Sequence, residues 1–160
     1  MTVSRRTAAA AVLTAGAAAR AAVQPGGRVQ WPTVKLLDGR SWSAAEAQGK
    51  AVVVVFWSIS CAFCRRHNPH VEKLRAAAVG KPLVVLTVSR DADAAAVARH
   101  LREQGLNFAV TLDYAPMAEA LSARRVTPLT VTVGRDGRVR QVIAGEMFEE
   151  DVLELLQLAG

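Results

Sequence analysis

A chain of 160 residues has room for one domain with a real core. Hydrophobic residues make up 51% of it, much of that alanine, and aromatics only 5%; with Arg and Lys scattered, no nucleic-acid binding patch stands out. Half of the formal net charge of +6 comes from Arg5, Arg6 and Arg20, which leaves the rest of the chain close to balanced.

Residues 1–22 combine a basic start, an apolar alanine-rich segment and small residues at the end, the pattern of a secretory signal peptide. Ala19-Arg20-Ala21 and Ala17-Ala18-Ala19 both fit the small-x-small rule for cleavage. Ser4-Arg5-Arg6 resembles the start of a twin-arginine signal, but Thr7 and Ala8 stand where Phe-Leu is usual, so both export routes stay open. A retained anchor is the other reading, although the segment falls short of the ~20 apolar residues a span needs. No cysteine lies near the cut, which argues against lipid attachment there. Residues 23–30, with QPGGR at 24–28, read as a flexible linker, and the domain is expected to run from 31 to 160.

Trp31-Pro32 opens a predicted hairpin, with strands over 33–37 and 40–42 around an Asp38-Gly39 turn. Ser43 caps a short helix over 44–48, ended by Gly49. Residues 52–57 read VVVVFW, a β-branched apolar run expected to be a buried central strand. Cys61-Ala62-Phe63-Cys64 follows, and helical composition continues past Pro69 to about residue 79. Lys81-Pro82 breaks the chain before a second apolar strand, 83–88. Asp91 or Asp93 caps a helix through Gln104, stopped by Gly105. A short strand at 107–112 and a short helix at 116–123 precede Thr127-Pro128. Residues 129–133 and 138–143 form a hairpin around Asp136-Gly137. An amphipathic helix over 149–159 closes the chain, with Val152, Leu155, Leu156 and Leu158 available for packing. The class is α/β, in the order β-α-β-α-β-α-β-β-α behind a small N-terminal β-hairpin.

A strand feeding C-x-x-C into a helix N-terminus has a chemical use. The unpaired N–H groups and the dipole of the helix stabilise a thiolate there. Cys61, at the helix start, has the place of an attacking nucleophile. Cys64, one turn further in, can resolve a mixed disulfide. These are the only two cysteines in the chain. The same pair could be a structural bridge or part of a metal site. Cys61, Cys64, His67 and His70 have soft-ligand spacing, yet a straight helix spreads them too far for one tetrahedral ion. Cys61 and Cys64 with His67 is then the largest metal set, and thiolate binding of copper is the minority reading. Haem attachment is excluded, because Arg65 follows Cys64. Arg65 and Arg66 either favour a Cys61 thiolate or form a solvated face. Trp57 reads as a core residue bordering the site, His70 and His100 as solvated helix residues, and Asp38, Asp113 and Asp136 as turn residues.

Leu37-Asp38-Gly39-Arg40, Gly49-Lys50 with 52–57, Cys61 with Cys64, Phe108-Ala109-Val110 with Leu112-Asp113, Val126-Thr127-Pro128, and 134–139 with Gly145 together carry a family resemblance. The chain resembles the thioredoxin fold, and more closely the TlpA/ResA-like family of exported thiol-disulfide oxidoreductases. The resemblance implies a central mixed β-sheet flanked by helices and a cis bond before Pro128, which lies against the cysteine pair. It implies that Thr127 offers its backbone to an extended substrate segment, with Trp57, Ala62 and Phe63 lining the site. Three positions depart from the pattern. Ser60 replaces the usual tryptophan and Phe63 the usual proline. His67 stands where the ResA-like group often has a glutamate taken to assist proton transfer, a task a histidine can perform near neutral pH; partly buried packing is the other reading of His67. Pro69 matches the family's helix-kinking proline.

The implied function is reduction of protein disulfides outside the cytoplasm, apocytochrome cysteines in cytochrome c maturation being one such substrate class. It needs no cofactor beyond the Cys61–Cys64 disulfide. The implied partners are protein thiols or disulfides and a membrane-linked electron donor, with the enzyme itself a monomer. A metal or thiol carrier, or an oxidase or isomerase, remain the alternatives.

Overall fold

The structure, a computed structural model, describes residues 24–121 and 123–160; the expected signal peptide at 1–22 lies outside them. In chain order the elements are β1 (Val34–Lys35), β2 (Ser41–Trp42), α1 (Ala44–Ala47), β3 (Ala51–Trp57), α2 (Ala62–Ala77) and β4 (Leu83–Ser89). They continue with α3 (Ala94–Gln104), β5 (Ala109–Thr111), α4 (Tyr114–Ala120), β6 (Leu129–Val133), β7 (Val139–Ala144) and α5 (Glu149–Glu154), which runs into a 3-10 turn, Leu155–Ala159.

The β-branched run of β3 becomes the middle of a five-stranded sheet in the order β5-β4-β3-β6-β7. β3 lies parallel to β4 and antiparallel to β6, so its backbone is paired on both sides and every residue of it is buried. Side chains alternate across a strand. Val52, Val54 and Phe56 pack with Leu86, Leu129, Val131 and Met117. Ala51, Val53, Val55 and Trp57 pack with Cys64, Val71, Leu74, Val97 and Val152. Both steps β3-α2-β4 and β4-α3-β5 move in one direction along the sheet. Right-handed crossovers therefore lay α2 and α3 on the same face, where α5 joins them, while α4 and the N-terminal hairpin cover the other.

Each sheet edge is partly closed. The hairpin approaches β5 through Leu37 N–H to the Val110 carbonyl at 2.8 Å, and the Thr111 hydroxyl donates to the Lys35 carbonyl at 2.7 Å. Residues 24–29, expected as a flexible linker, instead lie along the start of β7. Gly26 N–H donates to Val139 O at 2.8 Å, Val139 N–H to Gly27 O at 2.9 Å, and Val29 N–H to Gly137 O at 3.0 Å. Unpaired strand edges are satisfied in this way wherever a neighbouring segment reaches them.

Two helices differ from their predicted bounds for physical reasons. α4 begins at Tyr114, two residues earlier than expected, because Pro116 falls in its first turn, where no N–H is required. The last helix tightens into a 3-10 turn after Glu154. At α3, Asp93 rather than Asp91 is the cap, its Oδ1 accepting from Ala96 N–H at 3.0 Å, and Gly105 ends the helix at φ +66°. Asp93→Ala is expected to lower stability by about 1 kcal/mol, read as a lower urea midpoint with unchanged slope. No helix among the described residues is long and apolar enough to cross a membrane.

Candidate active site

β3 and β6 deliver the site. Their antiparallel register pairs Phe56 with Leu129, which sets the end of β3 beside the start of β6. From the first comes the turn into α2, and into the second leads Thr127-Pro128, joined by a cis peptide bond. Cys61 is the N-cap of α2, with extended backbone (φ −82°, ψ 110°), and its Sγ accepts the Cys64 N–H at 3.1 Å. The sulfur thus occupies the place a capping hydroxyl usually takes. Cys61 and Cys64 form a disulfide, with Cα atoms 5.2 Å apart. The Cys61 Sγ also lies 3.5 Å from the Thr127 carbonyl oxygen. Cys61 is partly exposed and Cys64 fully buried, so an incoming sulfur has access to the first alone.

Asp91, one of the two predicted caps of α3, holds the approach to Cys61. Its Oδ2 accepts from Ile59 N–H at 2.9 Å and from the Ser89 hydroxyl at 2.7 Å. Nothing local in the sequence marks this role, since the two ends lie 32 residues apart.

Between the cysteines, Ala62 and Phe63 are exposed, Phe63 at 58%. Phe63 thus presents an apolar ring on the surface beside the disulfide. The Arg66 guanidinium covers the ring at 4.8 Å from its centroid and donates to the Glu146 carboxylate from Nη2 at 2.6 Å and from Nε at 3.2 Å. Trp57 is the floor of the site rather than its wall. It is fully buried, with its ring against His100 at 5.7 Å and Phe108 at 6.1 Å. His100, read from sequence as a solvated residue, is thereby buried in the core on the α3 side.

His67 is buried to 1% exposure on α2. Its Nδ1 accepts the Met147 N–H at 3.2 Å, which places the ring hydrogen on Nε2, 3.4 Å from the Thr130 hydroxyl. Burial, helped by the nearby His70, lowers its pKa from 6.5 to about 4, so the ring is neutral at pH 7.

Three consecutive residues after β7 join the two walls of the site. Gly145 N–H donates to the Pro128 carbonyl at 2.9 Å, Glu146 pairs with Arg66, and Met147 N–H donates to His67. The proline loop and the cysteine helix are thus fastened to one short segment. Among the described residues no three His, Cys, Asp or Glu side chains are placed to hold a metal ion, and both nitrogens of His67 are engaged.

The sheet order and this cysteine pair define a dithiol/disulfide protein of the thioredoxin fold. The Redoxin family matches residues 24–156, and the chain belongs to that family. Its relatives include the thiol-disulfide oxidoreductase ResA of Halalkalibacterium halodurans, 29% identical over 122 residues, covering 76% of this chain and 69% of that one. ResA of Geobacillus thermodenitrificans is 28% identical and covers 76% and 70%. Similar solved structures include a thioredoxin-family thiol:disulfide interchange protein from Chlorobium tepidum, with a TM-score of 0.77 at 19% identity over 87% of this chain and 99% of that one. A DsbF homologue from Corynebacterium diphtheriae gives 0.74 at 20% identity, over 82% and 85%. Family and site together make this a thiol-disulfide oxidoreductase.

Proposed function

We propose that the protein is exported and reduces disulfide bonds in other proteins. The observation that carries this reading is the asymmetry of the pair: an accessible Cys61 sulfur at a helix N-terminus against the Thr127 carbonyl, with Cys64 buried one turn below. The Cys61 thiolate attacks one sulfur of a substrate disulfide, forming a mixed disulfide and expelling the other sulfur as a thiolate. Cys64, once deprotonated, attacks the Cys61 sulfur, closes the Cys61–Cys64 bond and expels the second substrate thiolate. Two electrons pass to the substrate, and a membrane-linked dithiol donor restores the enzyme. The backbone at Thr127 holds the substrate segment extended across the site, with Phe63 and Ala62 against its side chains. The pattern of residues 1–22 supports an extracytoplasmic location, where substrate disulfides persist.

His67 serves in this scheme as a neutral anchor for Met147 and Thr130. Burial lowers its pKa to about 4, which supports this anchoring role over proton exchange with Cys64 near neutral pH.

Equilibration of the pair against a thiol buffer tests the direction. The expected reduction potential is near thioredoxin's, about −270 mV, or below it. A value close to the oxidant DsbA's, about −120 mV, makes the protein a disulfide donor and overturns the reductase reading.

A further inference from the structure

Opening the disulfide releases a sulfur at Cys64 that is buried and has to give up its proton before it can attack. Cys64 is fully buried, in one apolar cluster with Trp57, Val71 and Leu74. A thiolate in such surroundings is unfavourable unless it accepts hydrogen bonds. The N-terminal N–H groups of α2 serve Cys61; the N–H of Cys64 itself already points at the Cys61 sulfur.

Two other polar side chains of α2 are buried, His67 and Asn68. Both nitrogens of His67 are engaged, with Met147 and Thr130. Asn68 is 2% exposed, and neither its Nδ2 nor its Oδ1 has a hydrogen-bond partner among the described residues. An unpaired carboxamide in a protein interior is destabilising, and where one is retained it calls for a role. Asn68 follows Cys64 by four residues, the spacing that makes side chains neighbours on a helix face. Helical side chains lean toward the N-terminus, so its carboxamide leans toward the turn that carries Cys64.

We propose that Asn68 is a catalytic residue of the opened site, donating from Nδ2–H to the Cys64 sulfur while that sulfur is a thiolate attacking the mixed disulfide. In the closed state the Cys64 sulfur is bonded to Cys61 and needs no donor, which accounts for the unspent carboxamide there. The step balances within the proposed cycle. The Cys64 proton leaves to solvent, the Cys64–Cys61 bond forms, the bond from Cys61 to the substrate sulfur breaks, and that sulfur departs with the electron pair and takes up a proton. The titratable neighbours are His67 on α2 and, across Trp57, His100 on α3; no carboxylate is among the buried described residues.

This inference rests on the Cys64 role proposed above, and its test separates the two. In a Cys61→Ser background, thiolate absorbance reads the Cys64 titration directly, without any substrate. Asn68→Leu keeps the shape and removes the donor; it is expected to raise the Cys64 pKa by about one unit, a tenfold loss of thiolate at a given pH below it. With Cys61 intact, resolution of a preformed mixed disulfide slows about tenfold, while attack by Cys61 keeps its rate. The closed protein keeps its urea midpoint or gains stability, since an orphan polar group has been removed. Should Asn68→Leu not fold, Asn68→Ala gives the same reading. An unchanged Cys64 titration in a folded variant overturns the role of Asn68, as does a loss of stability in the closed protein with an unshifted titration. If wild type reduces no protein disulfide, the functional reading falls while the titration still reports on Asn68.

Discussion

Cys61→Ser is expected to bring turnover of a protein-disulfide reporter down to background, a loss on the order of a thousandfold or more. Serine retains a capping oxygen at the start of α2, so the fold has no reason to fail, but its hydroxyl is no nucleophile toward a disulfide at neutral pH. Cys64→Ser is expected to behave differently. Cys61 remains accessible at the helix end and attacks, yet nothing resolves the product, and covalent complexes with substrate proteins accumulate. These are visible as high-mass bands on non-reducing gels that collapse with added thiol. Residual catalytic turnover in Cys61→Ser would assign the attack to another group. A Cys64→Ser protein that captures no partner would point to small thiols instead of proteins.

His67 gives the second large effect, on stability against pH. Its pKa is lowered from 6.5 to about 4 in the folded protein, chiefly by burial. Between those values the unfolded chain binds a proton that the native state does not, so stability falls as pH falls from 6.5 toward 4 and is level above 6.5. The full drop from this group is about 3 kcal/mol. Urea unfolding at pH 7.0, 5.5 and 4.5 reads it. His67→Gln, which keeps a polar neutral side chain at the junction of α2, β6 and the segment after β7, is expected to be less stable at pH 7 but nearly level down to pH 5. A wild-type curve flat between pH 6.5 and 4.5 would show that the ring is not held neutral in the way its burial implies.

The parts of the molecule legible from sequence are those in which a local pattern and the tertiary demand coincide. Residues 129–133 needed only β-branched composition between a proline and a Asp-Gly turn, and β6 has those bounds. The buried run before Cys61 announces a strand paired on both sides, because no polar face is left in it for solvent. Around the site the signal weakens. His67 has the composition of an exposed helix around it, Arg65 and Arg66 before and His70 after. Only the packing of β6 and of the segment after β7 onto that side of α2 shows that the ring is buried and bonded at both nitrogens. Asn68 is silent for the same reason: an asparagine between a histidine and a proline looks like a solvated position. Asp91 and Glu146 act on residues 32 and 80 positions away, distances at which periodicity carries no information. The residues at 24–29 look like a flexible joint by composition, and glycine there does permit the turn at Gly26 (φ +88°). What composition does not reveal is the exposed start of β7 waiting to pair with it.

That pairing also decides how the molecule stands relative to whatever precedes residue 24. Val139 pairs with Val133, and Val133 with Val52, at the opposite end of the sheet from Phe56 and Leu129, which adjoin the disulfide. The chain therefore enters at the pole away from Cys61, beyond the roughly 13 Å that separate Val52 from Phe56 at the usual rise of a strand. A tag, a bead or a membrane surface attached ahead of Gln24 would hold the protein by its far end and leave the reactive sulfur facing outward, open to large substrates.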